Sequence, residues 1–242
     1  MSIKISIKKS YNEKLIKNYV FFTNEDFKID GLNKLVIGKF SNQIKKTINS
    51  SEAKNKEFLS FNLNPSQKII LIKLKKNQSS LENEKIGAKF FTYIKSNSFY
   101  TTAFFEQNIY QIKSNSKYFF DEFILGIKLK SYIFDKYKSK KNNKNISIII
   151  TGNNHPSVTN QIKFKAIENG TFYARDLVSE PGNILHPDEY AKRLNTLKKD
   201  GLKINIYDEN KLKKLGMNTL LGVGQGSIRG SYLVTMEWNG LK

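Results

Sequence analysis

The sequence of 242 residues has no cysteine and only two histidines, His155 and His186. Without cysteine, the chain cannot form a disulfide scaffold, a thiol nucleophile or a thiolate metal site. Two histidines that lie far apart in the sequence also exclude a histidine-rich metal cage. No apolar run approaches the roughly 18–20 residues that a membrane-spanning helix needs, and residues 1–14 lack the apolar core of a signal peptide. We therefore expect a cytoplasmic protein with no membrane partner.

Acidic residues and arginine are also scarce. The 41 Lys and Arg residues outnumber the 21 Asp and Glu residues, which gives a formal net charge of +20, and only Arg175, Arg193 and Arg229 are arginine. A charge of this size favours contact with phosphates, but base readout and bidentate phosphate contacts depend on arginine. The lysines are scattered along the chain. We therefore interpret the charge mainly as a solvated surface, and we expect at most weak DNA binding without sequence preference.

The chain does contain enough apolar material for a folded core. Hydrophobic residues make up 39% of the sequence and aromatic residues 12%, which excludes global disorder. Period-2 patterns and continuous β-branched runs predict strands, whereas apolar residues three and four positions apart predict helices. The predicted strands cover residues 2–7, 19–22, 68–74, 99–105, 146–150, 202–207, 219–223 and 232–238. The predicted helices cover residues 30–48, 81–95, 116–137 and 161–178, followed by one that begins at Pro187 and a short one capped by Asp208 and Gly216.

Strands that alternate with helices predict an α/β protein. We expect an N-terminal α/β domain over residues 1–152, with a mixed sheet flanked by helices. The polar segment 151–156 contains Gly152 and Pro156 and marks the predicted boundary. Residues 153–242 then read as a linker helix and the beginning of a second α/β domain that stops after a few elements.

Three segments resemble the leucyl (cytosol) aminopeptidase family. Ala174–Ala191 is similar to the start of its catalytic domain, and so is Leu215–Ser227 taken together with the following strand, which ends at Met236–Gly240. Upstream, Gly126–Lys138 is similar to a late helix of the family's N-terminal domain. These segments occur in the family's order and together cover about residues 120–240, so the second predicted domain reads as an incomplete α/β metallopeptidase domain.

The resemblance implies a hexameric enzyme that removes N-terminal amino acids from peptides. Two divalent ions, manganese or zinc, would be held by Lys, Asp and Glu side chains and would activate a water nucleophile. The family carries these ligands in a Gly-Lys-Gly-x-x-Phe-Asp-x-Gly-Gly stretch and an Asn-Thr-Asp-Ala-Glu-Gly-Arg loop, and this sequence contains neither. The resemblance therefore assigns no catalytic, metal-binding or cofactor-binding residue to this chain.

Two interpretations of function follow. In the first, the chain is the N-terminal portion of a leucyl-aminopeptidase-like enzyme, from a truncated or split gene, and is inactive alone. In the second, it is a catalytically inactive basic α/β module that binds nucleic acid or assembles with an intact peptidase subunit.

Several residues could be mistaken for a functional site. Gly222–Gly226 has the spacing G-x-G-x-G, which differs from a dinucleotide-binding loop and favours a tight turn between strands. His186 precedes Pro187 and is interpreted as a weak helix cap or an exposed ring, and His155 is expected in an exposed turn. Arg175–Asp176 is interpreted as a helix-surface or interface pair, and Trp238 as a core residue.

Overall fold

The computed structural model describes residues 3–9, 12, 16–29, 32, 37–49, 56–109, 116–140, 145–152 and 158–240. The chain divides into two compact units, Met1–Phe172 and Tyr173–Lys242. The strands are β1 Ile3–Lys8, β2 Asn18–Thr23, β3 Phe58–Asn64, β4 Gln67–Lys73, β5 Thr101–Phe105, β6 Ile146–Thr151, β7 Lys203–Tyr207 and β8 Leu233–Glu237. The helices are α1 Ser41–Ile48, α2 Ser80–Ser96, α3 Glu106–Ile109, α4 Phe119–Ser131, α5 Val158–Ser179, α6 Pro187–Asn195, α7 Glu209–Lys214 and α8 Asn218–Gly224.

The first unit is built on a six-stranded mixed sheet in the order β1-β6-β5-β2-β4-β3. Only β3 runs antiparallel, paired with β4, whereas the other neighbours pair in parallel. All six residues of β2 are buried, as are Ile69–Ile72 of β4. Such continuous burial arises because helices cover both faces of a parallel sheet. The predicted α/β class, with a mixed sheet flanked by helices, is confirmed.

The two faces of this sheet carry separate cores. Phe21 and Leu71 pack with Ile44 of α1 on one face. On the other face, Phe22 and Ile70 pack against side chains of α2 and α4. The alternation of neighbouring residues between the two cores follows from the two-residue period of a strand.

Helices α2 and α4 cross with their backbones in close approach. A Cβ atom added at Gly87 in α2 would overlap the carbonyl oxygen of Phe123, and one added at Gly126 in α4 would overlap the carbonyl oxygen of Glu84. Each helix therefore contributes one glycine at the point where the other helix's backbone lies against it. No larger residue fits either position without separating the helices.

A capping box defines the start of α2. The backbone N–H of Glu82 donates to Ser79 Oγ, and Glu82 Oε2 accepts from the backbone N–H of Ser79 at 2.8 Å. These hydrogen bonds satisfy donors that a helix start leaves open. The backbone hydrogen bond from Ser79 also holds the pKa of Glu82 below its ordinary value.

The structure corrects the prediction of a strand over residues 219–223, which is wrong. These residues lie in α8, Asn218–Gly224. A short apolar run has too few residues for its period to separate a strand from a helix. A helix also satisfies its own backbone hydrogen bonds, whereas a strand would need a neighbour to pair with.

Other elements differ from the predictions in length or number. The helix predicted over 30–48 is described as a 3-10 turn, Gly38–Phe40, followed by α1, while residues 30, 31 and 33–36 lie outside the described residues. The helix predicted over 116–137 is shorter because Tyr132 leaves the helical conformation, with ψ of 133°. Strand β3 was not predicted. The helices and strands predicted at 19–22, 68–74, 81–95, 146–150, 161–178, 202–207 and 232–238 are present within about three residues.

The second unit contains one small sheet, in which β7 and β8 pair antiparallel. The division between the units falls inside α5. Compactness alone does not define a domain, so the predicted boundary at residue 152 stays a prediction. The expected helix ends are confirmed: Pro187 is the first residue of α6, Asp208 Oδ1 accepts from the backbone N–H of Lys211 at 3.0 Å, and Gly216 has a positive φ of 69°.

Candidate functional site

The segment between α5 and α6 is held by an ion-pair cluster centred on Arg193. Arg193 Nη1 donates to Glu180 Oε1 at 2.9 Å, and Arg193 Nε donates to Glu189 Oε1 at 2.9 Å. The Glu180 side chain is only 2% exposed. The hydrogen bonds that Arg193 donates to Glu180 and Glu189 raise the pKa of Arg193 above its ordinary value, and the hydrogen bond from Arg193 lowers the pKa of Glu189. The buried carboxylate is therefore paired, as burial of a charge requires.

The hydroxyl of Tyr173 adds a further contact to this cluster by donating to the Arg193 carbonyl oxygen at 3.0 Å. The cluster thus links the end of α5 to α6 through both side chains and backbone. Sequence reasoning missed it, although the four-residue spacing of Glu189 and Arg193 on a helix is a recognisable signal for an ion pair. The partnership with Glu180 has no comparable signal because it depends on the turn between the helices.

His186 lies at the N-cap of α6 but makes no capping hydrogen bond. Its Nδ1 instead contacts Asp188 Oδ1, and Asp188 Oδ2 lies 3.7 Å from Arg229 Nη1. Desolvation acts to raise the pKa of Asp188, but hydrogen bonds from His186 and from its own backbone N–H, with the charge of Arg229, hold that pKa below its ordinary value. His186 therefore occupies the cap position without a capping hydrogen bond, and its ring is half-buried rather than exposed.

Of the other residues singled out from the sequence, two lie on α5 and one lies outside the described residues. Arg175 and Asp176 lie on α5, the first half-buried and the second exposed, as expected for a helix surface. His155 lies outside the described residues. The carbonyl oxygen of Asp176 accepts from the backbone N–H of Glu180 at 3.0 Å, so the backbone of Asp176 adjoins the Arg193 cluster.

Two interpretations made from the sequence are wrong. Gly222–Gly226 is not a turn between strands, because its first three residues end α8 and the others follow that helix. The end of a helix presents carbonyl groups and a negative dipole, which disfavours phosphate. Trp238 is not a core residue, since it is 66% exposed. Its ring lies beside Gly201 and Gly240, which offer no side chain to cover it.

The described residues do not fit the metal site that the family resemblance implies. Over residues 3–9, 12, 16–29, 32, 37–49, 56–109, 116–140, 145–152 and 158–240, no group of three or more His, Asp or Glu side chains is placed to hold a metal ion. Divalent ions of the implied kind require several such ligands. No metal-dependent step is therefore assigned to a described side chain. In the same part of the chain, no helix is long and apolar enough to cross a membrane.

Comparison with known proteins places the second unit in a defined class. Residues 172–242 match the family model described as the cytosol aminopeptidase family, catalytic domain. The resemblance to the leucyl (cytosol) aminopeptidase family is thereby confirmed.

Particular relatives agree with this match. The chain is 43% identical over 126 residues to a probable cytosol aminopeptidase of Brucella suis biovar 1 (strain 1330), covering 49% of this chain and 25% of the relative. It is 44% identical over 125 residues to a probable cytosol aminopeptidase of Phytoplasma mali (strain AT), with the same coverage. The aligned region thus spans about a quarter of the length of these curated relatives.

Solved structures share the fold over nearly the whole chain. A tomato leucine aminopeptidase mutant matches with a TM-score of 0.70 at 20% identity, covering 97% of this chain and 50% of the tomato chain. The bottromycin maturation enzyme BotP in complex with Mn matches with a TM-score of 0.62 at 17% identity, covering 93% of this chain and 45% of BotP. The chain therefore has the fold of about half of each of these longer proteins.

Proposed function

We propose that this chain forms the N-terminal portion of a leucyl-aminopeptidase-like metallo-exopeptidase. It would supply the first α/β domain and the beginning of the catalytic domain. The match of residues 172–242 to the cytosol aminopeptidase catalytic domain carries this proposal. The likeness of fold over 97% of the chain to half of a leucine aminopeptidase supports it.

The complete enzyme would remove N-terminal amino acids from peptides in the cytoplasm, as a hexamer. Two divalent ions, manganese or zinc, would supply a metal-activated water and polarise the scissile carbonyl. The described residues of this chain offer no metal-binding cluster, so the chain by itself is proposed to be inactive. Its own contribution is positional: the pairing of Arg193 with Glu180 fixes α6 relative to the end of α5, where the catalytic domain begins.

The experiment compares this chain alone with a chimera. The chimera joins the chain to the part of the Phytoplasma mali relative that follows the aligned region, and the control is that segment alone. We expect metal-dependent hydrolysis of a leucyl chromogenic amide only by the chimera, in the presence of manganese. Turnover by the chain alone, well above a buffer control, would contradict its inactivity. A folded chimera no more active than the control segment would contradict the proposed peptidase role.

A second candidate function is that of an inactive basic module that binds nucleic acid or assembles with an intact peptidase subunit. The net charge of +20 favours the nucleic-acid form of this candidate. The small number of arginines limits it to contacts with phosphate groups.

A further inference from the structure

The sequence contains two Asn-Gly steps, Asn169–Gly170 and Asn239–Gly240, and the structure places them in different surroundings. The first lies within α5, whereas the second follows β8 in a segment that is neither helix nor strand. All four residues are exposed to solvent. The two steps therefore differ in backbone structure and not in access to water, so a reaction that depends on the backbone should distinguish them.

An asparagine that precedes a glycine can lose its side-chain amide without an enzyme, because the backbone nitrogen of the glycine attacks the asparagine Cγ. The attack requires that this nitrogen can give up its proton and that the backbone can turn toward the side chain. Glycine permits both best, since it has no Cβ to hinder the approach and it populates a wide range of φ and ψ. Asparagine accordingly counts among the thermolabile residues of proteins.

The helix protects Asn169 from this reaction. In α5 the backbone N–H of Gly170 donates to the carbonyl oxygen of Ala166, as the i→i−4 pattern of an α-helix requires, and the helical φ and ψ fix the backbone. The nitrogen of Gly170 can reach Cγ of Asn169 only after the helix opens locally. A free energy of opening of about 1.4 kcal/mol already slows such a reaction about tenfold.

The step at Asn239 lacks this protection. The pairing of β8 with β7 ends at Glu237, opposite Lys203, and residues 238–240 form neither helix nor strand. Within the part of the chain that the structure describes, no group accepts a hydrogen bond from the backbone N–H of Gly240. The nitrogen of Gly240 therefore needs no break in the structure to reach the side chain of Asn239.

The ring of Trp238 accounts for the glycine that makes this step reactive. A Cβ atom added at Gly240 would overlap the indole Nε1 of Trp238, so any larger residue would displace the ring. An added Cβ at Gly170, by contrast, would meet no atom within 4 Å. Glycine is thus required at position 240 by a packing contact, whereas at position 170 the structure also accommodates alanine.

We infer that Asn239 is a site of spontaneous deamidation in this chain and that Asn169 is protected from the same reaction. The Gly240 nitrogen forms a bond to Cγ of Asn239, the Cγ–Nδ2 bond breaks, and ammonia leaves with the proton that the Gly240 nitrogen gave up to solvent. Water then opens the cyclic imide. Cleavage between the nitrogen and Cγ gives aspartate, and cleavage between the nitrogen and the backbone carbonyl carbon gives isoaspartate, whose main chain runs through Cβ and Cγ.

The test incubates the folded full chain at mildly alkaline pH and follows both Asn-Gly steps by peptide mass spectrometry, with the aspartate and isoaspartate products separated by chromatography. We expect Asn239 to convert at least about tenfold faster than Asn169. In urea that unfolds the chain, the two rates should approach each other, because both asparagines then precede a glycine in an open backbone. Gly170→Ala is the matched control: it fits the helix and should leave the rate at Asn239 unchanged.

Three results would overturn the inference. The first is an equal rate at the two steps in the folded chain, or a faster rate at Asn169. The second is a folded chain in which neither asparagine converts while both convert in urea, because the backbone at Gly240 would then be protected as well. The third is a difference between the steps that persists unchanged in urea, since the neighbouring sequence and not the fold would then set the rates.

Discussion

The side chain of Asn108 completes the backbone hydrogen bonding of Phe22. Phe22 N–H donates to Asn108 Oδ1 at 2.7 Å, and Asn108 Nδ2 donates to the Phe22 carbonyl oxygen at 3.0 Å. Strand β2 pairs with β5 only from Asn18 to Val20. Beyond the end of β5 the chain continues as α3, so no β5 residue is available to pair with Phe22. The side-chain amide of Asn108 takes that place and satisfies the buried N–H and carbonyl groups of Phe22.

Removal of this amide should destabilise the first unit. Asn108→Ala leaves both backbone groups of buried Phe22 without a partner, and we expect the free energy of unfolding to fall by about 2–4 kcal/mol. Urea unfolding measures the change. Gln107→Ala is the matched control, because Gln107 is exposed on the same short helix, and a surface change should stay within about 0.5 kcal/mol. Equal effects of the two variants would show that the Asn108 bonds contribute nothing.

The pKa of Asp121 makes stability depend on pH. Burial, and then the neighbouring charge of Glu122, raise the pKa of Asp121 from 3.8 to about 6. Because the folded state holds the proton more tightly than the unfolded state, this carboxyl favours folding most below pH 3.8. Its contribution declines as the pH rises to about 6, and above that the ionised group is fully unfavourable.

Asp121→Asn should remove this penalty. After allowance for partial solvent exposure, we expect the variant to be more stable than the unmodified chain by about 1 kcal/mol near neutral pH. The advantage should shrink as the pH falls from 6 toward 3.8. Urea unfolding of both proteins across this pH range gives the difference between their free energies of unfolding. The pH dependence of all other groups cancels in that difference. A difference that does not vary with pH would contradict the raised pKa.

Loss of Arg193 should loosen the start of the second unit. Arg193→Met removes the cation that pairs with the buried carboxylate of Glu180, and we expect a cost of about 3–5 kcal/mol. Faster proteolytic cleavage after residue 173 is the expected result. Lys192→Met is the control, since Lys192 is exposed on the same helix. The double variant Glu180→Gln with Arg193→Met should recover part of the loss, and no recovery would argue against the pair.

The first unit should survive limited proteolysis better than the second. Both large apolar cores lie in the first unit, whereas the described part of the second unit, residues 173–240, buries four apolar side chains. At about 1.5–3 kcal/mol for each large side chain, that burial is small beside the entropy lost on folding. We expect a protected fragment that ends between about residues 150 and 172. Equal protection of residues 173–242 in the monomer would contradict the expectation.

DNA binding, if it is measured, should be weak and independent of sequence. Lysine supplies point-charge contacts to phosphates without base readout, and only three of the 41 basic residues are arginine. Affinity should fall steeply with salt and be lost near about 0.2 M. A salt titration with two unrelated duplexes tests this. Discrimination between the duplexes that persists at this salt concentration would contradict the prediction.

The sequence was informative where one local pattern decides the structure. The apolar runs of β2 and β4 and the periodicity of α2 predicted these elements because a strand or helix with that much apolar surface has few alternatives. The resemblance of the second unit to the family could also be recognised from sequence, because the residues of Ala174–Ala191 occur in an order typical of that family. The pairing of Glu180 with Arg193 could not be predicted, because it depends on a turn between two helices.

The predictions that were wrong concern residues whose structure depends on a neighbouring element. Residues 219–223 have the composition of a strand, but they form a helix. Trp238 has the composition of a core residue, yet no described element lies over it, and it stays exposed. Burial is a property of the surrounding structure, which a single segment of sequence does not contain.

The crossing of α2 and α4 also fixes how far one helix can slide along the other. Gly87 and Gly126 each face a backbone carbonyl of the opposite helix. A slide of α2 by one turn would bring Asn83 or Phe91 to the position of Gly87. Either side chain would collide with the backbone of α4. The two glycines therefore fix the axial register of α2 relative to α4. The aromatic side chains of these helices consequently pack on the sheet in a single alignment.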